Sequence, residues 1–119
     1  MLKQVIALRN DLNFPKSKIL KIITWASYES AKETKAKSPN KFSNWLNLGQ
    51  KKIVIKIKDE NELINLRKNI ERRKKTVIVP IIIHNSDLNH GKEGNFVALG
   101  IGPDEEKNLK EFTNLYKLY

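Results

Sequence analysis

The chain has 119 residues, enough for one domain spanning 1–119 and too few for a second core of useful size. It contains no cysteine, which excludes a disulfide framework and cysteine-based metal sites, and no apolar run approaches the roughly 20 residues that span a bilayer. Lysine and arginine total 23 against 13 acids, a net charge of +10, and this excess favours a polyanionic partner through counterion release. No signal-peptide apolar region opens the chain, so a soluble, cytoplasmic protein is expected.

In chain order, residues 3–8 (KQVIAL) suit a buried strand that Asn10 and Asp11 end as turn-formers. After Phe14-Pro15, Ile19, Ile22, Ile23, Ala26 and Ser30 recur at intervals of three and four, the stripe of a helix buried on one side. It should stop before Ser38-Pro39, because a residue preceding proline is pushed out of the helical region. Trp25 continues the apolar character of this helix and is expected to pack, the alternative being an exposed ring on which a base stacks. Phe42, Trp45, Leu46 and Leu48 predict a short second helix that Gly49 terminates.

Residues 51–58 (KKIVIKIK) alternate with the period of a strand. Asp59 and Glu62 form a capping-box pattern for a third helix whose buried stripe is Leu63, Leu66 and Ile70. Its end carries the cations of 72–75, either a solvated helix terminus or an RNA-backbone contact. The β-branched run 76–83 reads as a strand, with Pro80 marking a sheet edge, a bulge or a break. A polar loop, 86–94, precedes a last strand at 95–101. A final helix is expected with Pro103 near its first position, Asp104, Glu105 and Glu106 at its start, and Leu109, Phe112 and Leu115 or Tyr116 inside. The order β-α-α-β-α-β-loop-β-α predicts an α/β fold, a three-layer α/β/α sandwich around a mixed four-stranded sheet.

Three islands, Arg9-Asn10-Asp11-Leu12, Gly49-Gln50-Lys51-Lys52 and Gly100-Ile101-Gly102-Pro103, occur in order, with Trp45-Leu46 just before the second. With Thr113 and Lys117-Leu118 near the end, this pattern resembles the archaeal and eukaryotic (type 2) peptidyl-tRNA hydrolases from end to end. The resemblance implies hydrolysis of the ester joining a peptide to the tRNA 3′ end, with tRNA or peptidyl-tRNA as partner. It also implies a homodimer and no tightly bound cofactor; no membrane association is expected from the lack of a spanning apolar run, and no metal from the unconvincing ligand spacing.

The family segment Lys-Gly-Lys, two residues, Ala-Gln-Cys-x-His-Ala falls on residues 16–26. Lys16 and Lys18 keep the lysine pair, Lys18 at the functional lysine, while the glutamine becomes Ile22 and the histidine Trp25. Lys21 adds a further cation to that stretch. Solvent-exposed lysine at a helix start is ordinary, and it is the resemblance that singles these residues out.

The second family segment, Asp-Ala-Gly-Arg/His-Thr-Gln, falls on residues 85–90 when counted back from Gly100. Asn85 then occupies the aspartate position and Asn89 the threonine, and an amide cannot accept a proton as a carboxylate does. A slip of two residues puts Asp87 there instead. A further family threonine becomes Val97. His84 and His90 are candidates for substrate binding, for an acid/base pair or for metal ligation, though two histidines in a polar loop are more often surface residues. These substitutions leave three readings: an active peptidyl-tRNA ester hydrolase, a tRNA- or RNA-binding module without hydrolysis, and a protein-interaction subunit. An exposed apolar patch near Trp25 would be the sign of the last.

Overall fold

The computed structural model describes residues 1–83 and 95–119. Within them the elements run β1 (Leu2–Arg9), α1 (Lys16–Lys37), α2 (Pro39–Asn47), β2 (Lys52–Ile57), α3 (Glu60–Glu71), β3 (Ile78–Ile83), β4 (Asn95–Glu105) and α4 (Glu106–Thr113). The strands join in one sheet of order β2-β1-β4-β3, with β1 and β2 parallel and β4 antiparallel to both its neighbours. The crossover through α1 and α2 makes the first pair parallel, and the return from β3 makes β4 run backwards, so the sheet is mixed as expected. No helix among the described residues is long and apolar enough to cross a membrane.

Two apolar clusters sit on opposite faces of the sheet. One gathers Val5, Ala7, Ile55, Leu99 and Ile101 under Leu63, Leu66 and Ile70 of α3 and Leu109 and Phe112 of α4. The other gathers Ile6, Leu8, Ile81, Val97 and Ala98 under Ile22 and Ala26 of α1. Helices cover both faces, which is the α/β/α layering predicted from the element order.

Several terminations follow the residue chemistry. Gly49 takes φ +103° just after α2, and the Gln50 amide donates to the Trp45 carbonyl at 3.0 Å, closing the helix with a Schellman-type turn. The Asp59 carboxylate accepts from the Glu62 amide at 2.9 Å, and the Glu62 carboxylate accepts from the Lys58 amide, one residue earlier than the ideal box. Pro80 lies on the edge strand β3, where its missing amide costs no ladder bond, beside a register shift at Ile81 and Ile82. The opposite edge is covered: β2 receives the chain's last residues, with Lys56 donating to the Lys117 carbonyl and Tyr119 to that of Val54.

One expectation is corrected, and one left open between two residues is decided. Pro103, Asp104 and Glu105 belong to β4, and α4 begins only at Glu106, because Asp104 is drawn into the interior by partners from α2, from α4 and from the segment before β3. Its carboxylate accepts from Lys41 at 2.8 Å, Thr76 at 2.6 Å, the Glu105 amide at 2.8 Å and Asn108 at 3.2 Å. Of the pair Leu115 and Tyr116, Tyr116 packs on the core and Leu115 is 74% exposed.

The seating of α1 is the tightest feature of the fold. A Cβ at Gly100 would collide with the backbone carbonyl of Ala26 and crowd Ser30. Beside it, the fully buried Gln4 donates to the Ser27 carbonyl and the Ser30 hydroxyl, both at 2.8 Å, and accepts from the Ser27 hydroxyl at 2.6 Å. Gly100→Ala is therefore expected to destabilise the chain by about 2 kcal/mol in urea unfolding, since the clash is with backbone rather than a movable side chain. A change in the unfolding midpoint too small to detect would refute this account of the packing.

Burial of Asp104 opposes its ionisation, but the bonds from Lys41, Thr76, the Glu105 amide and Asn108 outweigh it and hold the carboxyl below the ordinary aspartate range. A folded value below the unfolded one gives stability that is complete above the unfolded value and lost as pH falls through the folded one. Asp104→Asn is expected to cost about 3 kcal/mol at neutral pH by leaving Lys41 without its carboxylate. The gap from the parent chain should narrow under strong acid, and denaturant titrations giving equal gaps at both pH values would contradict the assignment.

Candidate active site at the strand ends

The directions of the strands bring the C-termini of β1, β2 and β3 and the start of β4 to one edge of the sheet, with Arg9 opposite Ile57 and Ile83 opposite Asn95. The chain leaves β1 at this edge and enters α1 there. In open α/β sheets, ligands bind outside the carboxyl ends of the parallel strands.

Arg9 ties the edge together. Its guanidinium donates to both oxygens of Asp11, at 3.0 and 2.8 Å, to Glu60 at 3.3 Å and to the Phe96 carbonyl at 3.1 Å. The hydrogen bonds from Arg9 lower the Asp11 pKa below its ordinary value, against the opposing effect of burial. The loop after β1, the start of α3 and the start of β4 thus share one cation, whose flat fork suits such multiple contacts. Behind it, Arg9, Asn10, Asn13, Phe14, Ile19 and Tyr119 line a cleft of about 150 Å³. Sequence reasoning saw Arg9 only as part of an island; a strand-ending arginine two residues before an aspartate was the available signal.

Lys16 and Lys18 lie in the first turn of α1, and Lys21 lies in the next. The Lys18 ammonium stands 5.0 Å from the centre of the Phe14 ring. Among the described residues none of the three forms an ion pair. The first turn holds no acid, and Pro15 supplies no side-chain cap. Cations at a helix N-terminus oppose the macrodipole by about 0.3–1 kcal/mol each near the surface. The positive end of the helix dipole and the lysines together favour an anion, and a phosphate would relieve both.

Beneath this turn the site is apolar. Ile22 and Val97, the residues that the resemblance sets at polar family positions, are buried in the same cluster with Ile81 and Ala26. Trp25 does not pack, contrary to expectation: it is 45% exposed on the outer side of α1 and lines a shallow groove with Leu20, Lys21, Thr24 and Tyr28. An apolar residue adjoining a helical stripe is buried only if a neighbouring element reaches it, and none among the described residues covers Trp25.

His84, Asn85, Asp87, Asn89 and His90 lie outside the described residues. Their segment joins Ile83 to Asn95, the pair that closes β3 and β4 at this edge. Among the described residues no group of three histidine, aspartate or glutamate side chains is placed to hold a metal ion.

The family model described as "Peptidyl-tRNA hydrolase PTH2" matches residues 2–119. A Thermoplasma acidophilum protein named peptidyl-tRNA hydrolase is 32% identical over 116 residues, covering 98% of this chain and 97% of its own. A Methanococcus maripaludis protein of the same name is 31% identical over 118 residues, covering 99% of each chain. One from Methanopyrus kandleri is 34% identical over 116 residues, covering 95% of this chain and 94% of its own. With the family model matched from the second residue to the last and relatives above 30% identity over nearly their full length, the chain belongs to the peptidyl-tRNA hydrolase PTH2 family.

Proposed function

We propose that this chain hydrolyses the ester between a peptide and the 3′ end of tRNA. The observation that carries the reading is the acid-free, lysine-rich start of α1, held at the sheet edge from which the segment bearing Asp87 departs, in a chain of this family. A net charge of +10 supports a polyanionic substrate.

In this reading Lys18 binds a phosphate near the ester or stabilises the negative charge that develops on the carbonyl oxygen as water attacks. Asp87 accepts the proton of that water, a role the amide at Asn85 cannot perform. Asn89 donates a hydrogen bond to the reacting group, while Lys16, Lys21, His84 and His90 contact the substrate. No cofactor enters the chemistry, and a cytoplasmic homodimer is the assembly this reading implies.

Single-turnover hydrolysis of a peptidyl-tRNA tests it. Lys18→Ala is expected to slow the step by about 100-fold or more, as removal of a charge-stabilising donor does. Asp87→Asn should slow it by a factor on the order of 100 to 10,000, as loss of a general base does. The KM should rise steeply with salt. A parent chain that binds tRNA without turnover would overturn the enzyme reading, and an unaffected Asp87→Asn would remove that residue as base.

A further inference from the structure

The outer side of α1 carries a ladder that starts at the lysines of the strand-end site and continues into Trp25, Tyr28 and Lys32, which the chemistry of that site does not use. Lys18, Lys21, Trp25, Tyr28 and Lys32 follow one another at steps of three, four, three and four, so they lie along one line of the helix. Fourteen residues at 1.5 Å each give that line a length of about 21 Å. Its two rings are open to solvent, Trp25 at 45% and Tyr28 at 62% exposure. The chain's other tryptophan contrasts with this: Trp45 is buried, and its indole donates to the Lys51 carbonyl at 2.8 Å. The Lys32 ammonium stands 5.5 Å from the centre of the Tyr28 ring, which puts a cation beside an exposed π-face.

We propose that this ladder is a stacking track for the unpaired 3′ nucleotides of tRNA, bases resting on Trp25 and Tyr28 and phosphates paired with Lys21 and Lys32, while the ester end lies at Lys18. The proposal rests on the reading of peptidyl-tRNA as substrate and extends it to the nucleotides that lead into the site. Adjacent solvent-exposed rings flanked by cations suit single-stranded nucleic acid, because every base offers a π-face and every nucleotide a phosphate. A second copy of the chain suits the face less well. A two-fold contact would apply the same patch to itself, bringing Lys18 and Lys21 as well as Lys32, which has Glu29 at 3.9 Å, against the same lysines of the other chain. The centre of a protein interface is also depleted in charge, and Lys21 lies inside this groove. The ladder begins at Lys18, so a strand laid along it leads toward the site from solvent.

The test uses the full chain and two dye-labelled RNA hairpins of the same stem, one blunt and one with an unpaired 3′ overhang, titrated by fluorescence anisotropy. The parent chain is expected to prefer the overhang hairpin, and Trp25→Ala and Tyr28→Ala should each weaken that complex by about tenfold while leaving blunt-hairpin binding unchanged. Trp25→Phe should restore most of the loss. Equal affinity of the parent chain for both hairpins, or an overhang preference untouched by either alanine, overturns the proposal. So does a Trp25→Ala chain that changes sedimentation from dimer to monomer with its RNA affinity intact, which would assign the face to a second copy. Hydrolysis measured alongside separates the two readings. Turnover with an unchanged KM in Trp25→Ala sinks the track and keeps the enzyme. A Trp25-dependent overhang preference without turnover sinks the enzyme and keeps the track.

Discussion

Helix α1 approaches β4 so closely that the sheet has room for a hydrogen atom and no more at Gly100, where the Ala26 carbonyl faces the strand. Most of what distinguishes this molecule depends on that contact. Ala26 and Ser30 face the sheet because only small residues fit between helix and strand, and Gln4 fills the neighbouring space with an amide whose hydrogen bonds to Ser27 and Ser30 lock the helix against sliding. A polar group buried this deeply would be costly if unpaired, so its satisfaction defines one seating of the helix rather than several. The position of Lys18 relative to the strand ends is a consequence of that seating.

Two charged residues stabilise the frame at places where apolar packing alone would leave loops untied. Asp104 gathers α2, the approach to β3 and the start of α4 around one buried carboxylate. Arg9 gathers the loop after β1, the start of α3 and the start of β4 around one guanidinium whose side chain is almost wholly enclosed. Each is worth more as a geometric constraint than as an isolated ion pair, because the partners come from segments far apart in the chain. Arg9 stands at the edge where the candidate chemistry lies.

The start of α1 departs from local helix preference. It carries lysines where the dipole favours acids, and no capping side chain. Violations of local rules are expected where function competes with stability, and a helix terminus that favours an anion is one of the simpler cases.

The sequence by itself determined the element order, the mixed sheet, the helix stops at Ser38 and Gly49 and the Asp59 cap, and it narrowed Pro80 to a sheet edge, a bulge or a break. Each follows from residues adjacent in the chain or from a period of two or three to four. It also pointed to Lys16, Lys18 and Lys21 through family motifs, which are themselves local strings. Tertiary structure alone decided the rest. Trp25 was expected inside and lies outside, because whether the flank of a helical stripe is covered depends on which distant element arrives there. Asp104 was expected to start a helix and instead sits buried in a strand, because Lys41, Thr76 and Asn108 converge on it from positions 63, 28 and 4 residues away. Gly100 looked like part of a motif until the Ala26 carbonyl gave it a steric reason. Periodicity and propensity report what a segment can bury, while what meets it is settled only when the whole chain closes on itself.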